Sequence, residues 1–307
     1  MKDNAATDLA LSAAARWKGQ GAVFGAAILW STSGLFIKLI DWHPLVIAGT
    51  RSFVAALFLL AVRIISPPQA GSEKNRLGPL WAGAAVYTLT MISFVTANKL
   101  TSSANAIMLQ YSAPIWASLL GWLLVKEKPH WEHWGALVLV TGGLVLFFRD
   151  GLSTGHLLGD GVAILSGVFF GAHSVVLRMM KKGNPRDSML LAHVLNALIS
   201  IPFIIIYTPH FTVPTVMPII FMGLVQIGCA SILFAYGIKR VTAVQAMLTA
   251  MIEPVLNPVW VLAVTGEKPS VSALAGGGII IAAVAASSYI GKRRELLTAK
   301  QPAQQTA

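Results

Sequence analysis

Charge is scarce in this 307-residue chain. Asp, Glu, Lys and Arg make up 11% of it, where soluble proteins carry about a quarter. Hydrophobic residues make up 55% and the mean hydropathy is +0.69, so a polytopic membrane protein is predicted rather than a water-soluble domain. Cysteine is nearly absent: Cys229 alone excludes a disulfide framework and a cysteine-based metal site. No G-x-x-x-x-G-K-[ST] occurs, which leaves nucleotide-driven pumping without support. The histidines are scattered and no nucleophile–base pair stands out, so no enzyme, catalytic residue, cofactor or metal is expected. The opening stretch MKDNAATDLALSAAARWKGQ lacks an apolar core followed by a small-residue cleavage site. No signal peptide is predicted, and the first apolar run is expected to remain as a helix.

What is present is a series of apolar runs of spanning length, about twenty residues each. Ten are predicted, at 20–40, 44–65, 79–98, 104–125, 131–149, 159–179, 188–207, 213–236, 243–264 and 271–291. With the N-terminus placed in the cytoplasm, eighteen Lys and Arg fall on the cytoplasmic side, four on the other, and Arg51 within a span. That asymmetry sets an orientation with both termini cytoplasmic. The net charge of +11 is therefore a topology signal, and no nucleic-acid partner is expected.

The chain resembles itself at a shift of about 140 residues. Gly19 lies over Gly159, Gly21 over Gly161, Lys38 over Arg178, Lys99 over Lys239, Ala106 over Ala246 and Pro114 over Pro254, and EKP at 127–129 over EKP at 267–269. Each half holds five spans, an odd number, so the second half enters the membrane inverted. The fold class is thus all-α, ten transmembrane helices as two inverted five-helix repeats. The divisions are 1–18 (a cytoplasmic N-terminal segment), 19–150 and 159–291 (the repeats) and 292–307 (a cytoplasmic tail, polar and disordered). Inverted repeats are common in secondary transporters, with the substrate site near the midplane between halves.

Several stretches carry a family resemblance: LWSTSGLFIKL, TRSFVAALFLL, NAIMLQYSAPIWASLLGWLLVKEKPHWEHWGALVLVTGGLVL and its counterpart QAMLTAMIEPVLNPVWVLAVTGEKPSVSALAGGGII. They resemble the paired EamA repeats of the drug/metabolite transporter superfamily, over nearly all of residues 19–291. The resemblance implies a ten-helix carrier of the bacterial inner membrane, many such members exporting amino acids or other small metabolites. LWST in the first span and the Tyr-bearing faces of spans three and four are similar to the YddG-type amino-acid exporters. Ala113 stands where the second repeat has Glu253, so that carboxylate has no twin.

MIEPVLNP at 251–258 places an acid, an amide and two prolines deep in span nine. A charge at that depth costs about 2.5–3.5 kcal/mol or more, and Pro254 frees a carbonyl one turn earlier, near Ala250. Pro114, Pro254 and Pro258 are read as hinges. Glu253 is read either as a cavity acid that takes a substrate amine or a proton, or as a structural hydrogen-bonding group. Thr249 and Glu253, with Asn257, share a helical face opened by Ala246; Ala106, Gln110, Ala113 and Ala117 form the matching stripe, suited to a cavity or to close helix packing. With Gln110, Tyr111, Thr249 and Glu253, the mid-span aromatics Trp30, Tyr87, Phe94 and Phe169 join Met91 and His173 as the ten candidate substrate contacts, since ligand sites are mostly apolar with a few directed polar groups. Lipid-facing phenylalanines and a satisfied core histidine are the plainer accounts. Gln226 and Cys229 are weaker cavity candidates. Arg51 must pair or snorkel; it is expected to snorkel outward near Asp41, with anion recognition as the alternative. Gly21, Gly25, Gly167, Gly171 and 276–278 read as packing positions, and the EKP loops as starting the helices that follow, each with a Pro near the first turn.

The expected function is export of neutral or aromatic amino acids by alternating access, with drugs, purines or sugar-linked metabolites as alternative cargo and a passive channel as the remaining option. Membrane lipids and a small-molecule substrate are the expected partners. Proton coupling is open, as is the oligomeric state, a monomer included.

Overall fold

A computed structural model describes residues 2–32, 36–37, 40–67, 73–101, 103–149, 155–265 and 270–300. The second EKP, at 267–269, lies outside them. The described chain is helical: α1 (Lys2–Trp30), α2 (Pro44–Ile65), α3 (Leu77–Leu100), α4 (Ser103–Gln110), α5 (Ala113–Leu120), α6 (Trp131–Phe148), α7 (Leu157–Met179), α8 (Pro185–Tyr207), α9 (Val213–Phe221), α10 (Ala230–Ile238), α11 (Ala243–Ala250), α12 (Ile252–Thr265) and α13 (Val271–Lys300). Two π-helical pieces, Gly121–Val125 and Met222–Cys229, continue α5 and join α9 to α10. Eight spans among the described residues are long and apolar enough to cross a membrane by themselves. The other two expected spans fall on α1 and on the broken pair α11–α12.

The spans pack in swapped pairs. α3 runs against α7 and α1 against α10, while α2 faces α8 and α6 faces α13. A shift of five spans turns the first pairing into the second and maps the last two onto themselves, as two superimposable halves require. Little of the pairing is oily alone. Asn196 Nδ2 donates to Ser52 Oγ at 2.8 Å and to Ala48 O at 3.2 Å, Thr88 Oγ1 to Ala192 O at 3.1 Å, and Ser188 Oγ to Leu80 O at 2.9 Å. Such bonds hold helices together where lipid supplies no hydrophobic drive between them. Leu57, Leu139 and Ile205 point outward instead, as lipid-facing residues do.

Several expectations shift. Helix α1 ends at Trp30, inside the expected first span, because Ser31 Oγ and Thr32 Oγ1 turn back to the Ile28 and Leu29 carbonyls at 2.6 and 2.8 Å, competing with the helix ladder; residues 36–37 are helical again. Residues assigned to a separate N-terminal segment belong to α1, and α13 runs to Lys300, so the tail to that point is helical. α6 begins at Trp131 with His130 as its cap, so the first EKP does lead into a helix, with Pro129 directly before the cap.

Glycine packing is selective. A Cβ on Gly167 would lie 2.7 Å from Gln110 O, one on Gly171 2.6 Å from Ala113 O, and one on Gly276 2.5 Å from Gly143 O; a Cβ on Gly25 would lie 3.3 Å from Leu233 Cδ1 and one on Gly277 3.0 Å from Val255 Cγ1. Gly21 and Gly278 have nothing within 4 Å and are not packing positions.

Candidate functional site

Spans four and nine break at equivalent places. α4 ends at Gln110 and α5 begins at Ala113, just before Pro114; α11 ends at Ala250 and α12 begins at Ile252, just before Pro254. Proline removes the donor that would continue the ladder, and each break leaves backbone to be satisfied from outside. At the second break the Tyr111 hydroxyl donates its one proton to Glu253 Oε2 at 2.6 Å and lies 3.5 Å from the Ala250 carbonyl. α12 runs unbroken through Pro258, so no second hinge forms there; the side chains of Pro258 and Asn257 lie outside the described residues.

Beside these breaks lies a central cavity of about 70 Å³, lined by Trp30, Arg51, Tyr87, Thr90, Met91, Phe94, Gln110, Phe170, Gln226, Ile227 and Glu253. Six of the ten predicted contacts are among them: Trp30, Tyr87, Met91, Phe94, Gln110 and Glu253. Four are not. Tyr111 is buried behind Glu253. Thr249 bonds back to Gln245 O at 2.8 Å. His173 is fully buried, stacked on Tyr87 at 4.2 Å with Nδ1 3.2 Å from Gly83 O. Phe169 gives way to Phe170, one residue and about 100° further round α7, where it meets Trp30 edge-on at 5.9 Å. The stripe Ala163–Gly167–Phe170–Ser174 was the signal that would have singled it out. The small stripes also divide: Gln110 and Glu253 line the cavity, while Ala113, Ala117 and Ala246 pack into the core beside it.

Arg51 corrects the sequence reading most. It is 4% exposed and lines the cavity rather than snorkelling outward. Its Nε has no hydrogen-bond partner among the described residues. Gln226 also lines the cavity, from within the π-helical stretch Met222–Cys229, and its Nε2 lies 3.5 Å from Trp30 O. π-helical irregularities frequently mark functional sites. Gln110 Nε2 is fixed by Ser166 Oγ at 2.9 Å, and that hydroxyl donates to Thr90 O at 3.2 Å.

A second cavity, about 340 Å³, opens at the end that carries Arg16, Glu127, Arg178, Arg240 and Thr242. Arg178 Nε donates to Glu127 Oε1 at 2.7 Å, and its Nη1 to Ile238 O and Lys239 O at 3.1 and 2.9 Å. One side chain thus ties both repeats together. Next to it, Lys239 Nζ donates to Gly183 O at 2.8 Å; burial, then Arg240 and Arg186, hold its pKa below the usual lysine value. Among the described residues no three His, Cys, Asp or Glu gather as metal ligands.

Two swapped halves around a central hollow with directed polar groups define a membrane carrier. The chain belongs to the EamA-like transporter family, whose model matches residues 17–149 and 157–289. It is 28% identical over 264 residues to the uncharacterized transporter YwfM of Bacillus subtilis, covering 82% of this chain and 87% of that one. It is 26% identical over 223 residues to human solute carrier family 35 member G1, covering 66% and 60%. A solved crystal structure superposes with a TM-score of 0.77 at 18% identity, over 90% of this chain and 98% of that one, a likeness of fold.

Proposed function

We propose that this multi-pass transporter exports small zwitterionic metabolites, neutral or aromatic amino acids first among them, across the bacterial inner membrane by alternating access, with both termini cytoplasmic. One observation carries the reading. The central cavity joins aromatic walls from both repeats, Trp30, Tyr87 and Phe94 with Phe170, to a buried cation and an acid, Arg51 and Glu253. That combination suits an apolar side chain bearing charged ends. At about 70 Å³ the hollow is below the roughly 300–1,000 Å³ of ligand pockets, so cargo binding widens it, with the breaks before Pro114 and Pro254 as pivots. The Arg178–Glu127 tie holds the cytoplasmic end in the present state and releases in the other. Counterflow of labelled amino acids in proteoliposomes tests this. Saturable exchange, inhibited by unlabelled amino acids and not by purines or sugars, is expected. Flux rising linearly with concentration would mean a channel instead.

A further inference from the structure

We infer that the central cavity reads its cargo at both charged ends, with Arg51 as receptor for a carboxylate and Gln226 with Glu253 as receptors for an ammonium. This rests on the amino-acid reading above and assigns the residues that make it selective.

Arg51 cannot shed its proton, so its charge is permanent at membrane depth. It is 4% exposed, and its Nε finds no acceptor among the described residues. A buried donor left unmade is costly, more so when charged, and such residues in membrane spans pair or mark a substrate path. Gln226, 5% exposed, is in the complementary position: its Oε1 acceptor has no partner. The backbone holds the two together. A Cβ on Gly223 would lie 2.8 Å from Arg51 O and 2.6 Å from Val54 Cγ1. α2 and the π-helical stretch are therefore locked at this level, with an unmatched donor and an unmatched acceptor on one cavity.

The charges agree with this assignment. Arg51 and Glu253 line the same cavity and form no ion pair with each other among the described residues. Glu253 accepts from Tyr111, and a carboxylate has room for further donors. A zwitterion answers both charges and leaves the cavity neutral. An amine or an acid alone leaves one buried charge unanswered, the costly case.

The test uses the full-length protein in proteoliposomes and counterflow of labelled L-phenylalanine. Competitors are unlabelled L-phenylalanine, phenethylamine, which lacks the carboxylate, and phenylpropionate, which lacks the ammonium; leucine, isopentylamine and isocaproate form a second series. Each truncated analogue is expected to compete about tenfold or more weakly than its parent, the loss of one charge-assisted bond. In Arg51→Gln the preference over phenethylamine disappears while that over phenylpropionate stays. Phenethylamine competing as well as phenylalanine in the native protein overturns the assignment with amino-acid transport intact. So does an Arg51→Gln variant, monodisperse by size exclusion, that weakens all three ligands equally. If that variant does not fold, the native series decides alone. If no amino acid exchanges and another metabolite does, the cargo reading falls and the assignment with it.

Discussion

Tyr111 of the first repeat donates its hydroxyl to Oε2 of Glu253 in the second, at 2.6 Å. Tyr111 stands one residue past the end of α4, and Glu253 in the first turn of α12. Each belongs to a proline-linked break, and the two breaks meet through this bond. The acid without a twin is thus held by the other repeat.

Tyr111→Phe removes that donor and leaves the ring. Removing Glu253 as well, by Glu253→Gln, completes a double-mutant cycle. The expected coupling is about 0.6–2 kcal/mol, the range for side-chain hydrogen bonds in membrane helices, read from thermal unfolding in detergent. Additive effects would mean the pair contributes nothing.

The Arg178–Glu127 tie predicts a change in the balance of states. In a Cys229→Ser background with Ala117→Cys as reporter, Glu127→Gln is expected to increase maleimide labelling severalfold. Ala117 lines the cavity beside the tie, so loosening admits the reagent. An unchanged labelling rate would assign the tie to stability alone.

Close packing at Gly171 predicts steric sensitivity. A Cβ there would meet Ala113 O at 2.6 Å, Trp116 Cβ at 2.8 Å and Ala117 N at 2.9 Å, all on span four beside its break. Gly171→Leu is expected to destabilise by about 1–3 kcal/mol or more through overpacking. Gly21→Leu, with open space around it, is the control expected to shift the unfolding temperature little.

Thr242 caps α11. Its hydroxyl accepts from Gln245 N at 3.3 Å, and Gln245 Oε1 accepts from Thr242 N at 3.1 Å. Thr242→Ala is expected to cost about 1 kcal/mol and Thr242→Ser to restore it, measured as urea or thermal stability.

His43 caps α2 and stacks on Tyr207 at 4.0 Å. Burial and then Lys99 hold its pKa below 6.5. Protonation is therefore easier in the unfolded chain, so its contribution is complete above pH 6.5 and is lost as pH falls below that value. A melting series from pH 8 to 5 is expected to decline, and His43→Gln to flatten that decline.

Much was legible from the chain alone. Apolar run lengths located most spans, the 140-residue register disclosed two halves, and Pro114 and Pro254 marked the breaks, because each of these depends on residue type and spacing along one helix. Family membership followed from the same regularities. Tertiary packing decided the rest. Whether Arg51 reaches outward or inward, whether Phe169 or Phe170 meets Trp30, and that Tyr111 is the partner of Glu253 all depend on the rotation and depth of one helix against another. Those are set by glycine contacts such as Gly223 on α2 and Gly171 on α5; periodicity along span six marks the face that carries Phe170, but no single span records which partner its face meets or at what depth.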